Sequence, residues 1–268
     1  MPRGDGQDSM NTEHKDHGRH VVGLFGRIAP WYDFLNHFLS LGCDIIWRKR
    51  LRRCVRVHQT RRVLDLAAGT LDVSREVVRH MPGVEVVAMD VSEPMLRRGQ
   101  RKIHKAGKVP HAPRTRQPVL PVVADGRSLP ARDACVDSVT IAFGIRNIRP
   151  REAAYHEVLR VLTPGGRFCI LEFGAGRRKI LRGVYNLYLH RVLPLIGRVF
   201  SGDSQAYRYL AESIQEFPDA ETLCGELFQA GFARVYSVPL TLGIVHLHIA
   251  EKTAEQGRME DGTGRRNG

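Results

Sequence analysis

The amino-acid sequence predicts an α/β fold: a doubly wound, mostly parallel seven-stranded sheet with an N-terminal helical lid. Three observations predict it. Strand-like and helix-like patterns alternate between residues 62 and 250, as they do when crossover helices join parallel strands. The pattern ends with two strands in succession, and we expect an antiparallel strand there. Residues 21–60 have helical patterns of their own, so we expect them to pack over the sheet.

Each element follows from a local pattern. Apolar, β-rich runs predict strands at 62–66, 84–89, 119–123, 136–143, 167–173, 233–238 and 244–250. Helical periodicity predicts helices at 72–80, at 92–103 with Ser92 as the N-cap, at 150–162, and within about 179–230. The Pro164-Gly165-Gly166 run predicts a turn before the fifth strand.

The composition indicates one medium-sized domain. The chain has 268 residues, 43% of them hydrophobic, and we expect a single domain over 21–252, with the lid at 21–60. The polar, Gly-rich stretches 1–20 and 253–268 predict disordered tails. Five cysteines without a C-x-x-C pair argue against a disulfide framework and against a metal site. The lack of a long apolar stretch predicts a cytoplasmic protein, or one that is peripheral at the inner face of the membrane.

The chain is strongly basic, with a formal net charge of +13 and a pI near 10.0. A polyanionic partner, either nucleic acid or an anionic membrane surface, would explain this charge. An Arg-rich, solvated surface without a partner explains it equally well. The charge therefore does not choose a substrate, and the oligomeric state, a homo-oligomer included, stays open.

Acidic residues lie at the ends of the first three predicted strands, in order. Asp65 precedes a loop of small residues that reaches Gly69 and Thr70, Asp90 ends the second strand, and Asp125 follows the third. Ligands of doubly wound sheets lie at the carboxyl ends of the strands, where a carboxylate can accept hydrogen bonds from a ribose diol. A single aspartate there is more often a helix cap, but three in succession predict a nucleotide-like cofactor. The dinucleotide spacing G-x-G-x-x-G is absent.

The D-x-A-x-G-T loop from Asp65 to Thr70 resembles motif I of the class I methyltransferases, which have a Rossmann-like fold and bind S-adenosyl-L-methionine. That motif usually continues with a glycine, whereas this chain has Leu71. A leucine resists the positive φ that a glycine adopts readily. We expect the loop to tolerate the leucine, and the alternative is weakened or lost cofactor binding.

Longer motifs resemble those of the ubiquinone/menaquinone biosynthesis C-methyltransferases, from residue 25 to about residue 249. They include F-x-x-I-A-x-x-Y-D-x-x-N from Phe25, F-G-I-R-N from Phe143, and Y-R-Y-L-A-E-S-I from Tyr207. The resemblance implies S-adenosyl-L-methionine as the cofactor. The predicted cofactor-binding residues are Asp65, Gly69, Thr70, Asp90, Asp125, Gly126 and Ala142.

The resemblance also implies C-methylation of a prenylated quinol, in which a phenolate makes the ring carbon nucleophilic. Arg146 follows the fourth strand and is the favoured residue for stabilising that phenolate. A structural arginine that pairs with a helix end is the alternative. Asn147, Tyr32 and Asp33 are further candidates, which would orient the ring hydroxyls, although Tyr32 could equally pack within the lid. His248 lies on an apolar strand, so we predict a core histidine without a catalytic role.

The ring itself is not chosen by the resemblance. The favoured reaction is demethylmenaquinol to menaquinol in menaquinone biosynthesis, and the alternative is methylation of 2-polyprenyl-6-methoxy-1,4-benzoquinol in ubiquinone biosynthesis. The aromatic and aliphatic segment 184–196 is predicted either to line a groove for the isoprenoid tail, to lie on a membrane surface, or to form a buried amphipathic helix.

Two other classes of protein compete. A nucleic-acid methyltransferase fits the charge, but the fourth strand ends in F-G-I-R-N and not in an Asn/Asp-Pro-Pro-aromatic motif. No RNA-binding module is recognisable, so the sequence argues against a nucleic-acid partner. A non-catalytic scaffold is supported only by Leu71.

Overall fold

The structure is a computed structural model that describes residues 23, 37, 40, 42–55, 60–105, 119–174 and 204–254. Side chains are described throughout these ranges except at 204–207. No helix within them combines the length and the apolar character that a transmembrane span requires.

The described residues form one seven-stranded sheet with helices on both faces. The helices are α1 (Cys43–Cys54), α2 (Asp72–His80), α3 (Glu93–Lys105), α4 (Arg151–Val161), α5 (Ser204–Gln215) and α6 (Ala220–Gln229). The strands are β1 (Arg62–Leu66), β2 (Glu85–Asp90), β3 (Val119–Val123), β4 (Val136–Ala142), β5 (Leu162–Phe173), β6 (Arg234–Leu240) and β7 (Val245–Glu251). Their order across the sheet is β3-β2-β1-β4-β5-β7-β6.

The pairing of the strands confirms the predicted doubly wound sheet. The first five strands pair in parallel, and β7 runs antiparallel to both of its neighbours, β5 and β6. The sequence marks the two edges of the sheet with prolines, since Pro121 lies in β3 and Pro239 in β6. Proline cannot donate to a strand ladder, so it is tolerated at an edge.

Two apolar layers hold the helices on the sheet. On one face Trp47, Leu51 and Val77 of α1 and α2 pack with Val63 of β1. On the other face Tyr155 of α4 and apolar residues of α6 pack with strand residues such as Leu64. Neighbouring residues of β1 thus point into opposite layers, which explains why the central strands are apolar at nearly every position.

Most predicted bounds agree with the structure to within a residue or two, but the predicted turn at 164–166 is wrong. Ser92 occupies the N-cap position of α3, where its carbonyl accepts a hydrogen bond from the Leu96 N–H at 3.2 Å, but its Oγ is buried without a hydrogen-bond partner and adds no side-chain cap. Residues 164–166 continue as part of β5, with Gly165 at a φ of 72°, and do not form a turn before it. Within the predicted lid, α1 packs on the core. The rest of the predicted lid lies almost wholly outside the described residues, as do the two predicted tails, 1–20 and 253–268.

Candidate active site

The candidate site lies along the edge of the sheet at the carboxyl ends of the parallel strands. Six described residues other than glycine have a positive φ, and five of them lie at this edge: Ala67, Leu71, Phe143, Thr241 and Leu242. The last two belong to the β6–β7 turn, which the antiparallel pairing of Phe173 with Val245 brings to the same edge. Left-handed backbone costs about 1–3 kcal/mol at such residues and clusters at functional sites.

Asp65 holds the loop that follows β1. Its side chain is 1% exposed, and its carboxylate accepts hydrogen bonds from the Ser74 N–H at 2.9 Å, the Ser74 hydroxyl at 2.6 Å and the Thr140 hydroxyl at 3.0 Å. Burial raises the pKa of the Asp65 carboxyl to about 6, although these hydrogen bonds oppose the shift. The carboxylate lies beneath the loop, so its geometry fits a residue that shapes the loop and not one that contacts a ligand directly.

Asp90, at the end of β2, is tied to the same loop. Its carboxylate accepts hydrogen bonds from the Gly69 N–H and the Ser92 N–H, both at 2.8 Å. Burial raises the pKa of the Asp90 carboxyl, and these two backbone donors oppose the shift. A carboxylate offers about four acceptor positions, so two remain for a ribose diol. The space in front of Gly69 is open, because an added Cβ would meet only Met95, at 3.7 Å.

Leu71 adopts the conformation that leucine resists. Its φ is 64° and its ψ is 27°, immediately before α2. The side chain is 1% exposed and belongs to the apolar layer under α1, α2 and α3. It packs against Gly99 of α3, where an added Cβ would overlap the Leu71 side chain and come within 2.7 Å of the Thr70 carbonyl. The leucine therefore points into the core and away from the loop surface, which supports the expectation that the loop tolerates it.

Thr70 lies behind the loop with only 2% of its surface exposed. Its hydroxyl accepts a hydrogen bond from Lys102 Nζ at 3.1 Å, and the same ammonium contacts Asp72 at 2.6 Å. Lys102 therefore fastens α3 to the start of α2 across the loop. The sequence interpretation missed it, because a lysine near a helix end usually has no tertiary partner.

Asp125 and Gly126 follow β3. Asp125 accepts a hydrogen bond from the Arg127 N–H at 2.9 Å and pairs with the Arg127 guanidinium at 2.6 Å. Burial alone would raise the pKa of the Asp125 carboxyl, but the hydrogen bonds and charge of Arg127 lower it below its ordinary value. Gly126 is buried, and an added Cβ would meet Leu66 and Ile148 at 3.2 Å. Ala142 ends β4 and is partly exposed.

Arg146 forms a buried ion pair directly after β4. The Arg146 side chain is 5% exposed, and its Nη1 contacts Glu172 Oε1 and the Phe143 carbonyl, both at 2.6 Å. Glu172, near the end of β5, is fully buried. The Arg146 Nε is also buried and has no acceptor among the described residues. An unmatched buried donor costs about 1–3 kcal/mol, and a ligand oxygen can relieve that cost.

Aromatic rings and an amide surround this ion pair. The ring centroids of Phe143 and Phe173 are 4.8 Å apart, those of Trp47 and Phe143 are 5.9 Å apart, and the Arg146 guanidinium lies 5.5 Å from the centre of Phe173. The Asn147 side-chain oxygen accepts a hydrogen bond from the Tyr209 hydroxyl at 3.0 Å. The rings form an apolar wall, and Tyr209 fixes the orientation of the Asn147 amide.

The structure brings the motif I loop, Asp90, Ala142, Arg146 and Asn147 to one edge of the sheet. Tyr32, Asp33 and the segment 184–196 lie outside the described residues. Neither Glu172 nor Tyr209 is among the predicted site residues, although an acidic residue inside an apolar strand is a signal that could have singled out Glu172. His248 is 1% exposed, and burial together with nearby His246 lowers its pKa to about 3, so it is a neutral core side chain.

Known proteins share this fold. The chain superposes on a SAM-dependent methyltransferase from Aquifex aeolicus with a TM-score of 0.54 and 18% identity, covering 76% of this chain and 88% of that one. The parallel sheet with its antiparallel β7 and the loop after β1 thus define a class I, Rossmann-like methyltransferase fold.

Sequence relatives carry the identification further. The family model described as the ubiE/COQ5 methyltransferase family matches residues 11–252. The chain is 42% identical over 236 residues, 88% of this chain and 89% of the relative, to the Ubiquinone/menaquinone biosynthesis C-methyltransferase UbiE of Geobacter sulfurreducens. It is 40% identical over 229 residues, 85% of this chain and 100% of the relative, to the Demethylmenaquinone methyltransferase of Thermus thermophilus. The chain belongs to the ubiE/COQ5 methyltransferase family.

The protein is therefore an S-adenosylmethionine-dependent methyltransferase. The described residues fit that cofactor. The open backbone at Gly69 admits a close ligand, the two unused acceptor positions of Asp90 suit a ribose diol, and the Leu71 side chain does not enter this space.

Proposed function

We propose that the protein transfers the methyl group of S-adenosylmethionine to a ring carbon of a prenylated quinol, with demethylmenaquinol as the substrate and menaquinol as the product. The observation that carries this proposal is the buried Arg146–Glu172 pair at the end of β4, with an unmatched Arg146 Nε donor. A donor of this kind suits the oxygen of a phenolate, the group that activates a quinol ring carbon.

The residues have separate tasks in this proposal. The cofactor supplies a methyl group that is already activated for transfer. Arg146 stabilises the phenolate oxygen, and Glu172 holds the guanidinium in place through Nη1, which leaves the Nε donor without a partner among the described residues. Asn147, oriented by Tyr209, is placed to bind a ring hydroxyl. The aromatic wall excludes water, which strengthens each of these electrostatic contacts. Tyr32 and Asp33 stay proposed as further contacts to the ring hydroxyls.

The activities named for the relatives support the naphthalene ring and leave the benzene ring as an alternative. The Thermus thermophilus relative is a demethylmenaquinone methyltransferase and is matched over its whole length. The Geobacter sulfurreducens relative carries both ubiquinone and menaquinone in its name. Methylation of 2-polyprenyl-6-methoxy-1,4-benzoquinol is therefore the second candidate.

A methyl-transfer assay tests the proposal. Labelled S-adenosylmethionine is incubated with the full chain and two reduced short-tailed quinols, one naphthalene and one benzene. We expect transfer to the naphthoquinol, strongly reduced in Arg146→Ala and only partly restored in Arg146→Lys, which keeps the charge but loses the planar fork. Arg234→Ala, on the edge strand β6, is the matched control and should retain activity.

Binding of S-adenosylhomocysteine distinguishes a wrong substrate from a protein that does not bind the cofactor. Stabilisation by S-adenosylhomocysteine without transfer to either quinol would contradict the substrate and keep the methyltransferase. The absence of any stabilisation would instead favour the scaffold that Leu71 suggests. Transfer to RNA or DNA and not to a quinol would favour the nucleic-acid alternative.

A further inference from the structure

A basic cavity lies between α1, α2 and α3, on the outside of the helical layer. Its volume is about 560 Å³. Five lysine and arginine side chains line it against two carboxylates, so three positive charges are in excess when the lining histidines are neutral. The five are Arg48, Lys49, Arg75, Arg79 and Lys102.

The two carboxylates already have partners. Asp72 contacts Lys102 at 2.6 Å and Arg48 at 3.4 Å. Glu76 contacts Arg52 at 3.1 Å and His80 at 3.4 Å. The acidic groups therefore do not neutralise the remaining cations of the cavity.

Lys49, Arg75 and Arg79 provide the excess charge. Across the part of the chain that the structure describes, none of them makes an ion pair or a hydrogen bond through its side chain. Arg75 and Arg79 are four residues apart on α2, so they lie on one face of the helix, where like charges repel each other. An anion in the cavity would relieve that repulsion.

Two exposed isoleucines lie on the α1 side of the cavity. Ile45 of α1 lines the cavity and is 43% exposed, and its neighbour Ile46 is 59% exposed. Trp47 and Leu51 of the same helix are buried in the core, so α1 is anchored while its two isoleucines face outward. A soluble phosphate compound or a nucleic acid would explain the cations but not the isoleucines. Apolar side chains next to basic ones suit the boundary between phosphates and acyl chains in a lipid bilayer.

We propose that the α1–α2–α3 face binds an anionic phospholipid surface, with a lipid phosphate in the basic cavity and Ile45 and Ile46 inserted among the acyl chains. This goes beyond the proposed methylation and does not depend on it. The docked face lies next to the cofactor loop, because Lys102 and Asp72 belong both to the cavity and to the contacts behind Thr70.

Vesicle binding by the full chain tests the proposal without any methyl transfer. We expect binding to vesicles of phosphatidylcholine with phosphatidylglycerol, weak binding to phosphatidylcholine alone, and a decrease as salt is raised. Arg75→Gln/Arg79→Gln should bind the anionic vesicles roughly 25-fold more weakly, since each basic residue near such a surface contributes about fivefold. Ile45→Ser/Ile46→Ser should also bind more weakly.

The control loses the same charge elsewhere. Arg132→Gln/Arg234→Gln removes two exposed arginines outside the cavity and should bind almost as tightly as the unchanged protein. Stabilisation by S-adenosylhomocysteine shows that each variant is folded. Equal weakening by both double variants would overturn the proposal, because only the net charge would then matter. The protein could instead fail to bind vesicles but bind inorganic phosphate or single-stranded RNA, and lose that binding in Arg75→Gln/Arg79→Gln. This result would overturn the proposal in favour of a soluble anion or a nucleic acid.

Discussion

Replacement of Glu172 by glutamine should leave Arg146 as a buried cation without a compensating charge. Arg146 is 5% exposed and Glu172 is fully buried, so water screens neither group. Glutamine has the same shape and can still accept the hydrogen bond that Arg146 Nη1 donates at 2.6 Å. The substitution therefore removes the charge of Glu172 and little of its packing.

The magnitude follows from the burial of the pair. The loss of one partner of a buried ion pair costs about 3–5 kcal/mol. Because glutamine retains a hydrogen bond, we expect the lower end, about 3 kcal/mol, out of a typical total of about 5–15 kcal/mol. The double variant Arg146→Met/Glu172→Gln removes both charges and should recover most of that loss, since methionine matches much of the volume of arginine without its charge.

Urea denaturation of the unchanged protein, Arg146→Met, Glu172→Gln and the double variant measures this double-mutant cycle. The unfolding free energy of Glu172→Gln should fall by about 3 kcal/mol and that of the double variant by much less. Methyl transfer should fall in both, while the affinity for S-adenosylhomocysteine stays unchanged because neither residue lies at the cofactor loop. The reasoning is refuted if Glu172→Gln unfolds like the unchanged protein, or if the two single effects simply add.

Three further predictions concern the cofactor loop. Gly99→Ala places a Cβ within 2.7 Å of the Thr70 carbonyl, so it should lower the unfolding free energy by about 1–3 kcal/mol in thermal unfolding and weaken S-adenosylhomocysteine binding. The control Gly225→Ala, with nothing within 4 Å of its Cβ, should leave S-adenosylhomocysteine binding unchanged. Asp90→Ala frees the Gly69 N–H and removes the proposed ribose acceptor, so calorimetry should find cofactor binding at least tenfold weaker; unchanged affinity would show that Asp90 does not contact the ribose. The pKa of Asp65 is raised from 3.8 to about 6, so the folded state binds the proton more tightly and the unfolding free energy should fall by about 3 kcal/mol as pH rises from about 4 to 6. Asp65→Asn should lack this fall, and parallel pH profiles of the two proteins would exclude the effect.

Local sequence patterns were enough to predict the fold, because the residues of each helix or strand themselves define the apolar surface that it buries. The apolar runs predicted all seven strands, and the first and third strands were predicted with their observed bounds. The helical periodicity likewise predicted α2 from Asp72 to His80. The position of the cap at Ser92 was predicted correctly, but the unbonded Ser92 hydroxyl and the strand at 164–166 were not, since both depend on where neighbouring elements place a hydroxyl or a strand end.

The sequence by itself determined the sheet, its antiparallel strand, the family and the edge at which the site lies, because strand period, strand-end residues and motif letters are properties of consecutive residues. The tertiary structure decided how residues distant in sequence meet. In the tertiary structure Asp65 bonds to Ser74 beneath the loop, Leu71 packs against Gly99, and Arg146 pairs with Glu172. The tertiary structure also gathers three helices around one basic cavity. Burial and charge at such places depend on contacts between elements, and no local pattern records them.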